Sequence, residues 1–275
     1  METVSIRDYK AQMEKLRSNK DFKEEEERIN KLIMVEQAEL NEIKRLASLP
    51  LVTDENRVDI IVLVTKNDID YIGQCVTGIM KAGHPYKITI YDNTLNSIAG
   101  CNTAKIWNKL IKESTCGYVM VIDSDAFPQN EDWLKQMVFA LNTDPKIAVV
   151  GSVSGEKSVT TIQSVLPYAK DVEVFDGHIS GYCMLFKKTI FEKLGYFDEE
   201  FYFYGQESDW IEKILEKKEY KVAFCPRAFV KHGFQGVPST SATLEEKRGI
   251  FKKRVDAEYS QALFAEKKKK RYEEA

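Results

Sequence analysis

Glycine and proline are distributed very unevenly along this 275-residue chain. All 14 glycines and all 7 prolines lie between Pro50 and Gly249. Turns and helix caps depend on these two residue types, so their absence favours long helices at both ends and a turn-rich fold in the middle. The sequence therefore predicts a helical N-terminal arm over residues 1–52, a globular domain over residues 53–238 and a helical C-terminal tail over residues 239–275.

Apolar residues in the N-terminal arm recur at intervals of three and four. They include Tyr9, Met13 and Leu16, and the pattern resumes at Ile29 and Ile33. This periodicity predicts an amphipathic helix or a helical hairpin. The apolar face is suited either to packing on its own domain or to self-association as a coiled coil, and the imperfect heptads favour the first.

The C-terminal tail ends in a basic run, Lys267–Arg271, which Glu273 and Glu274 follow at once. Such a run contacts anionic lipid or nucleic acid in some proteins and forms a solvated helix end in others. The adjoining glutamates favour the solvated helix end. The whole chain has 40 Lys+Arg against 43 Asp+Glu and a net charge of −3, so it lacks the basic excess that binding to nucleic acid requires.

The apolar residues are numerous enough for a core but are not arranged to cross a membrane. They make up 43% of the chain, which excludes global disorder. The longest apolar runs, such as residues 60–65, have the length of a strand, and the first residues lack the apolar segment of a secretion signal. The 5 cysteines contain no CxxC pair. We therefore expect a cytoplasmic protein, with the membrane periphery as the alternative location.

The middle of the chain alternates strand-like and helix-like segments. Residues 58–65 (VDIIVLVT) form a mostly β-branched run, which is typical of a strand buried on both faces. Strand–helix repetition with short connections predicts an α/β fold, in which helices cover both faces of a mostly parallel sheet. The predicted strands are residues 58–65, 86–91, 118–122 and 147–151, and the predicted helices are residues 70–81, 104–113 and 131–141.

Polar and mainly acidic groups follow three successive predicted strands. Thr65–Asp68 follows the first strand, Asp92 the second, and Asp123–Asp125 the third. Ligands of parallel sheets bind at the carboxyl ends of the strands, so we expect these groups to share one crevice. The two carboxylates of the Asp-x-Asp repel each other unless a cation lies between them. Oxygen ligands select Mg²⁺ or Mn²⁺, and such an ion stabilises a departing diphosphate.

Three other motif interpretations fit less well. Phosphatases of the haloacid dehalogenase type also place Asp-x-Asp after a strand, but with Thr or Val where this chain has Phe127, and usually on the first strand. Residues 151–158 resemble a P-loop, but the spacing between the glycines is one residue short and Glu156 precedes the lysine. No G-x-G-x-x-G follows the first strand, which disfavours a nicotinamide-type site.

The order of several sequence blocks resembles glycosyltransferase family 2, whose members have the GT-A fold. The blocks are VDIIVLVTKND, ITIYDNT, NTAKIWNKL, YVMVIDSDAFPQNEDWL, GHISGYCMLFKKTIFEKLGYFDEEFYFYGQESDW and AFVKH. They cover residues 57–235, so the helical ends lie outside the resemblance. Within that family, the blocks resemble those of bacterial rhamnosyltransferase-like members.

The resemblance implies roles for the residues at the strand ends. Metal binding falls to Asp123 and Asp125, with Asp125 as the preferred direct ligand, and His232 closes over the metal or the diphosphate. The implied cofactor is Mn²⁺ or Mg²⁺. The set implied for binding the donor nucleotide is Thr65, Asp68, Asp92, Asn102, Asn108 and Ser124.

The resemblance also locates a candidate base. The family commonly has Gly-Glu-Asp-x-Asp near a helix start, with the middle acid as base, and this chain has GQESDW. Glu207 therefore stands at the base position and Gln206 replaces the usual Glu. A Glu reaches one methylene further but accepts a proton equally well. Asp209 is either a second catalytic residue or a support for the helix start. Gly181 and Trp210 are candidates for contact with the acceptor.

Together these roles imply a metal-dependent, inverting glycosyltransferase of the hexosyltransferase type. Its partners would be a nucleotide-sugar donor and a saccharide, lipid-linked or protein acceptor. One alternative is a nucleotidyltransferase, which should carry a Gly- and Lys/Arg-rich phosphate loop where residues 65–68 have one lysine and no glycine. The other is a catalytically silent scaffold with assembly helices, which the altered Gln206–Glu207 pair keeps open.

Overall fold

The structure, a computed structural model, describes residues 30–35, 37, 53–64, 69–93, 102–155, 162–201, 205–233 and 253–274. The chain divides into two units, Met1–Ser48 and Leu49–Ala275, which are considered separately. In the first unit, residues 30–35 and 37 are helical, within the arm that the sequence predicts to be helical. The division into three regions and self-association through the arm stay predictions.

The remaining described elements belong to the second unit. Their bounds differ by at most two residues from the seven elements predicted for residues 58–151. None of the described helices is both long and apolar enough to span a bilayer. The strands are β1 (Val58–Val64), β2 (Tyr86–Asp92), β3 (Tyr118–Asp123), β4 (Ala126–Pro128), β5 (Ile147–Val153), β6 (Glu173–Phe175), β7 (Cys183–Lys187) and β8 (Lys221–His232). The helices are α1 (Ile69–Ile79), α2 (Thr103–Glu113), α3 (Trp133–Asn142), α4 (Thr189–Leu194), α5 (Gln206–Lys217) and α6 (Lys253–Glu274), with a 3₁₀ turn at Asp54–Asn56.

The strands form one sheet in the order β2-β1-β3-β7-β5-β8-β4, and β6 pairs with β8. Strand β1 is parallel to β2 and β3, and β5 is parallel to β8. Strand β7, which the sequence analysis did not predict, runs antiparallel between β3 and β5. Five strands (β1, β2, β3, β5 and β8) therefore run in one direction, which confirms the α/β fold with a mostly parallel sheet.

Burial on both sides of the central strands shows that both faces of the sheet are covered. Ile61 of β1 and Val119 and Val121 of β3 belong to one core cluster, which α2, α4 and α5 also line. Their neighbours Ile60 and Met120 are equally buried, at 0% exposure, but lie outside that cluster. Successive strand residues point to opposite faces, so a second layer must cover Ile60 and Met120. Two further helices cover the sheet. Helix α1 packs against β4, and helix α3 packs against β5, β7 and β8.

The interpretation of the C-terminal basic run as a solvated helix end is wrong for three of its five residues. Lys269 and Lys270 of α6 are exposed. Lys267, Lys268 and Arg271, however, form ion pairs with carboxylates of residues 198–216. Those partners are far away in sequence, and only the fold brings them beside α6. The tail is therefore docked on the globular part of its own unit.

Two glycines of α1 provide a test of the packing that positions β4. A Cβ at Gly73 would have no neighbouring atom within 4 Å, whereas one at Gly78 would lie 2.7 Å from the Cδ and carbonyl oxygen of Pro128. We expect Gly73→Ala to stabilise the protein by about 0.5–1 kcal/mol through helix propensity. We expect Gly78→Ala to destabilise it by about 1–3 kcal/mol through overpacking. Urea denaturation measures both changes, and a more stable Gly78→Ala variant would contradict this packing.

Candidate active site at the carboxyl edge of the sheet

Three parallel strands end together at one edge of the sheet. Leu63 of β1 is in register with Asp123 of β3, and the next residue, Val64, is in register with Asp92 of β2. Asp92 is exposed at its strand end. The acidic groups that the sequence placed after the second and third strands therefore lie along one shared edge.

The acidic pair occupies the turn between β3 and β4. Asp123 is the last residue of β3, and Asp125 immediately precedes β4. The backbone of the turn is held by the Asp123 N–H, which donates to the carbonyl of Tyr182 at 2.8 Å, and Ser124 is buried. The Asp123 side chain is 43% exposed and that of Asp125 only 8%. One carboxylate is thus open to a ligand and the other is sheltered.

His232 reaches the acidic pair because β4 pairs antiparallel with the end of β8. Ala126 is in register with His232, and the N–H of Gly233 donates to the carbonyl of Asp125 at 2.9 Å. The Nε2 atom of His232 lies 3.4 Å from Asp123 Oδ2 and 3.6 Å from Asp125 Oδ1. The three residues that the sequence singled out as metal ligands are therefore brought together.

The donor atoms of this trio fit a divalent cation. Ligand atoms of Asp123, Asp125 and His232 all lie within 4.8 Å of one another. Two carboxylate oxygens and one imidazole nitrogen leave coordination positions open for phosphate oxygens or water. A cation would also relieve the repulsion between two carboxylates held so close together.

Tyr182 supports the trio, although the sequence analysis did not single it out. Its ring stacks on that of His232, with the centroids 4.8 Å apart and the planes at 21°. The Tyr182 hydroxyl donates to the Ser152 carbonyl at 2.9 Å, which fixes the ring. Stacking against a fixed ring restricts the orientation of the imidazole. The available signal was its position directly after Gly181, in the block GHISGYC.

The candidate base, Glu207, lies in the first turn of α5 and packs against Gly181. A Cβ at position 181 would lie 2.9 Å from Glu207 Cγ, so glycine leaves the room that this side chain needs. Burial raises the pKa of Glu207 to about 7, opposed by a hydrogen bond from its own N–H and reinforced by the charge of Asp123. The pKa of Glu207 is therefore set mainly by burial and is raised further by the charge of Asp123.

The other two candidates on α5 are engaged inside the protein. The carboxylate of Asp209 is 0% exposed; its Oδ1 accepts from Arg271 at 2.7 Å and its Oδ2 lies 3.0 Å from Lys213 Nζ. Residues two apart on a helix point in nearly opposite directions, so this geometry favours the supporting role for Asp209. The expected acceptor contact of Trp210 is wrong, because this side chain is 0% exposed and its Nε1 donates to the Gly195 carbonyl at 2.8 Å.

Two of the candidate nucleotide-binding residues connect α2 to the segment before α5. Asn102 caps α2 and donates to the carbonyl of Glu199 at 2.6 Å. The buried Asn108 bonds to both the carbonyl and the N–H of Phe197, at 2.8 and 3.0 Å. Thr65 and Asp68 lie outside the described residues. Nucleotide binding therefore stays a prediction for Asn102 and Asn108, as it does for Thr65, Asp68, Asp92 and Ser124.

No protein-family model matches this chain, and no curated protein matches its sequence. Solved structures do match its fold. A mannosyltransferase from Pyrobaculum calidifontis, solved in complex with GDP-Man and Mn²⁺, is similar with a TM-score of 0.52 and 17% identity, over 80% of this chain and 71% of that chain. TarS of S. aureus gives 0.49 and 16% over 64% and 36% of the two chains. GalNAc-T7 with UDP, GalNAc and Mn²⁺ gives 0.47 and 10% over 70% and 47%. The first of these likenesses shows that the chain has the GT-A glycosyltransferase fold, which confirms that part of the resemblance.

The raised pKa of Glu207 predicts a pH-dependent effect on stability. In the folded protein this carboxyl keeps its proton up to about pH 7, whereas in the unfolded chain it loses the proton near pH ~4.3. The folded state binds more protons between these values, so the contribution of Glu207 to the free energy of unfolding falls as pH rises through this window. In metal-free buffer, we expect Glu207→Gln to raise Tm relative to wild type more at pH 8 than at pH 5. Glu219→Gln, at an exposed position, serves as the control, and an equal effect of Glu207→Gln at both pH values would refute the raised pKa.

Proposed function

We propose that this protein is a metal-dependent, inverting glycosyltransferase that moves a hexosyl group from a nucleotide-sugar donor to an acceptor hydroxyl. The observation that carries the proposal is that two adjacent residues connect Glu207 to the Asp123–Asp125–His232 cluster: Gly181 packs against Glu207, and Tyr182 binds the Asp123 N–H and stacks on His232. Direct transfer of a sugar needs stabilisation of the leaving group and a base for the acceptor, and this edge of the sheet offers residues suited to both. The likeness in fold to a mannosyltransferase solved with GDP-Man and Mn²⁺ supports the same proposal.

Asp123, Asp125 and His232 are the residues that would hold the cation. When bound, it would stabilise the negative charge that develops on the departing nucleoside diphosphate. Imidazole suits transition-metal ions better than Mg²⁺, which prefers oxygen ligands, so we propose Mn²⁺ as the ion. The sheltered carboxylate of Asp125 makes it the preferred direct ligand, and stacking on Tyr182 keeps the imidazole of His232 oriented towards the cluster.

Glu207 is the proposed general base. A pKa of about 7 lets this carboxylate ionise near neutral pH while it remains a strong proton acceptor. Glu207 takes the proton of the acceptor hydroxyl as the hydroxyl oxygen bonds to the anomeric carbon and the bond from that carbon to the diphosphate oxygen breaks. Attack opposite to the leaving group inverts the configuration and forms no covalent intermediate. Gly181, which contacts Glu207, borders the acceptor side of the crevice.

The finer expectations from the resemblance belong to this proposal. They are membership of glycosyltransferase family 2, similarity to rhamnosyltransferase-like members, and a saccharide, lipid-linked or protein acceptor met in the cytoplasm or at its membrane surface. The Gln206–Glu207 pair departs from the family pattern, which is the basis of the silent-scaffold alternative. Because Glu207 retains a carboxylate and packs against Gly181, the neighbour of the residue that binds the Asp123 N–H, an active enzyme is the better-supported choice.

Loss of one charge from the cluster tests the metal site. We expect Asp125→Asn to weaken Mn²⁺ binding at least about tenfold, measured by isothermal titration calorimetry, because a sheltered anionic ligand is removed. We also expect the rise in Tm that Mn²⁺ and a uridine, guanosine or thymidine diphosphate give to disappear. Asp171→Asn is the matched control, since Asp171 is a surface carboxylate paired with Arg227. Unchanged Mn²⁺ affinity in Asp125→Asn would remove this metal site from the proposal.

Replacement of the base separates transfer from binding. Glu207→Gln keeps the size of the side chain but cannot accept the proton, so we expect transfer to slow by about 10²–10⁴-fold. Affinities for donor and Mn²⁺ should stay at the wild-type level, as should all properties of the exposed control Glu219→Gln. The measurement is release of nucleoside diphosphate from a panel of UDP-, GDP- and dTDP-sugars, with and without Mn²⁺. Parallel loss of binding and transfer would contradict the base assignment, and a wild-type protein without Mn²⁺-dependent turnover would contradict the proposed function.

A further inference from the structure

Helix α5 carries a stripe of carboxylates on the side facing away from Glu207. Its members are Asp209, Glu212 and Glu216. Successive helical residues turn by about 100°, so these three lie within about 60° of one another and their centre lies about 170° from Glu207. The C-terminal helix α6 covers this stripe with basic side chains.

Arg271 is the residue of α6 that contacts α5 at two points. Its Nη1 donates to Asp209 Oδ1 at 2.7 Å, and its Nε donates to Glu216 Oε1 at 3.0 Å. Asp209 is 0% exposed and Arg271 is 23% exposed, so removing the arginine would leave a buried carboxylate with less compensating charge. Lys213 also pairs with Asp209, but it belongs to α5 itself and cannot fix the rotation of that helix. The rigid guanidinium group of Arg271 can fix that rotation, because it holds two carboxylates of α5 from a different helix.

Helix α6 is also linked, through Glu212, to the segment that precedes β7. Glu212 of α5 pairs with Lys268 of α6 at 2.5 Å and with His178 at 2.9 Å. Burial alone would raise the pKa of Glu212, but the hydrogen bonds from Lys268 and His178 outweigh it and lower that pKa. His178 belongs to the segment that leads to Gly181, against which Glu207 packs. Helix α6 is therefore linked both to α5, which carries the candidate base, and to the segment that packs against that base.

We infer that Arg271 is a positioning residue for the transfer reaction: by holding Asp209 and Glu216 from α6, it fixes the rotation of α5 and so aims Glu207 at the metal-binding crevice. This inference rests on the proposed function. A group about 6 Å from a helix axis moves about 1 Å for a rotation of about 10°. A displacement of that size at a catalytic group lowers a rate by about 10²-fold. Small changes in the contacts of Arg271 with Asp209 and Glu216 should therefore lower the rate of sugar transfer strongly.

The kinetic test compares Arg271→Gln, Arg271→Lys and Lys269→Gln. Lys269 is 78% exposed and pairs with Glu273 of its own helix, so its replacement removes the same charge without touching α5. We expect Arg271→Gln to lower kcat about 10–100-fold with unchanged donor KM and Mn²⁺ affinity. Arg271→Lys should be intermediate, because an ammonium group can hold one carboxylate but not both in the same geometry. Wild-type kcat in Arg271→Gln, or an equal loss of donor affinity, would overturn the inference.

A substrate-free test separates this inference from the proposed function. Glu207 and Arg271 lie on opposite sides of α5, so a purely structural role for Arg271 predicts additive changes in Tm. If Arg271 aims Glu207, the gain in Tm from Glu207→Gln at pH 8 should fall by about half or more when Arg271→Gln is also present. The gain should remain intact in a Lys269→Gln background.

Each outcome of the stability test decides one question. Additivity would overturn the positioning role, even for an active enzyme. Non-additivity in a protein that turns over no nucleotide sugar would support the coupling between Arg271 and Glu207 and overturn the proposed function alone. If Arg271→Gln does not fold, Arg271→Lys replaces it in the same cycle, because it keeps the charge and loses only the two-point contact.

Discussion

The concentration of negative charge at one edge of the sheet is the constraint on which the rest of the site depends. Asp123 and Asp125 are separated by a single residue, Ser124, and the charge of Asp123 adds to the effect of burial on the pKa of Glu207. Like charges held this close must be compensated by a cation or by a proton. The pKa of Glu207, which burial raises and the charge of Asp123 raises further, fits that requirement. A divalent cation would satisfy it while leaving Glu207 free to act as a base.

The topology of the sheet brings these groups together from distant parts of the chain. Strand β4 begins immediately after Asp125 and pairs with the end of β8, which delivers His232. The turn before the reversed strand β7 supplies Gly181 and Tyr182, which contact Glu207 and His232, respectively. Helix α5 contributes Glu207, and ion pairs with Arg271 of α6 hold its opposite side. The site therefore depends on how β3, β4, β8, α5 and the turn before β7 pack against one another.

Much of this arrangement could be predicted from the sequence, because local patterns encode it. The β-branched run at residues 58–64 predicts a buried strand. The position of Asp123 at the end of another apolar run predicts the shared acidic edge. What the sequence could not predict depends on contacts between distant residues. Nothing local distinguishes Trp210, buried in the core, from a surface aromatic that stacks on a sugar. Likewise, the partners of Arg271 lie more than 50 positions away along the chain. The basic run by itself therefore predicts a solvated helix end, although the tail is docked.

The most direct test of the central claim is anomalous X-ray diffraction at the manganese edge, from crystals grown with Mn²⁺ and a nucleoside diphosphate. The account predicts a manganese peak within bonding distance of an Asp125 carboxylate oxygen and the His232 imidazole, in the crevice that Glu207 borders. A nucleotide bound without manganese at these residues, or manganese bound at a different edge of the sheet, would contradict it.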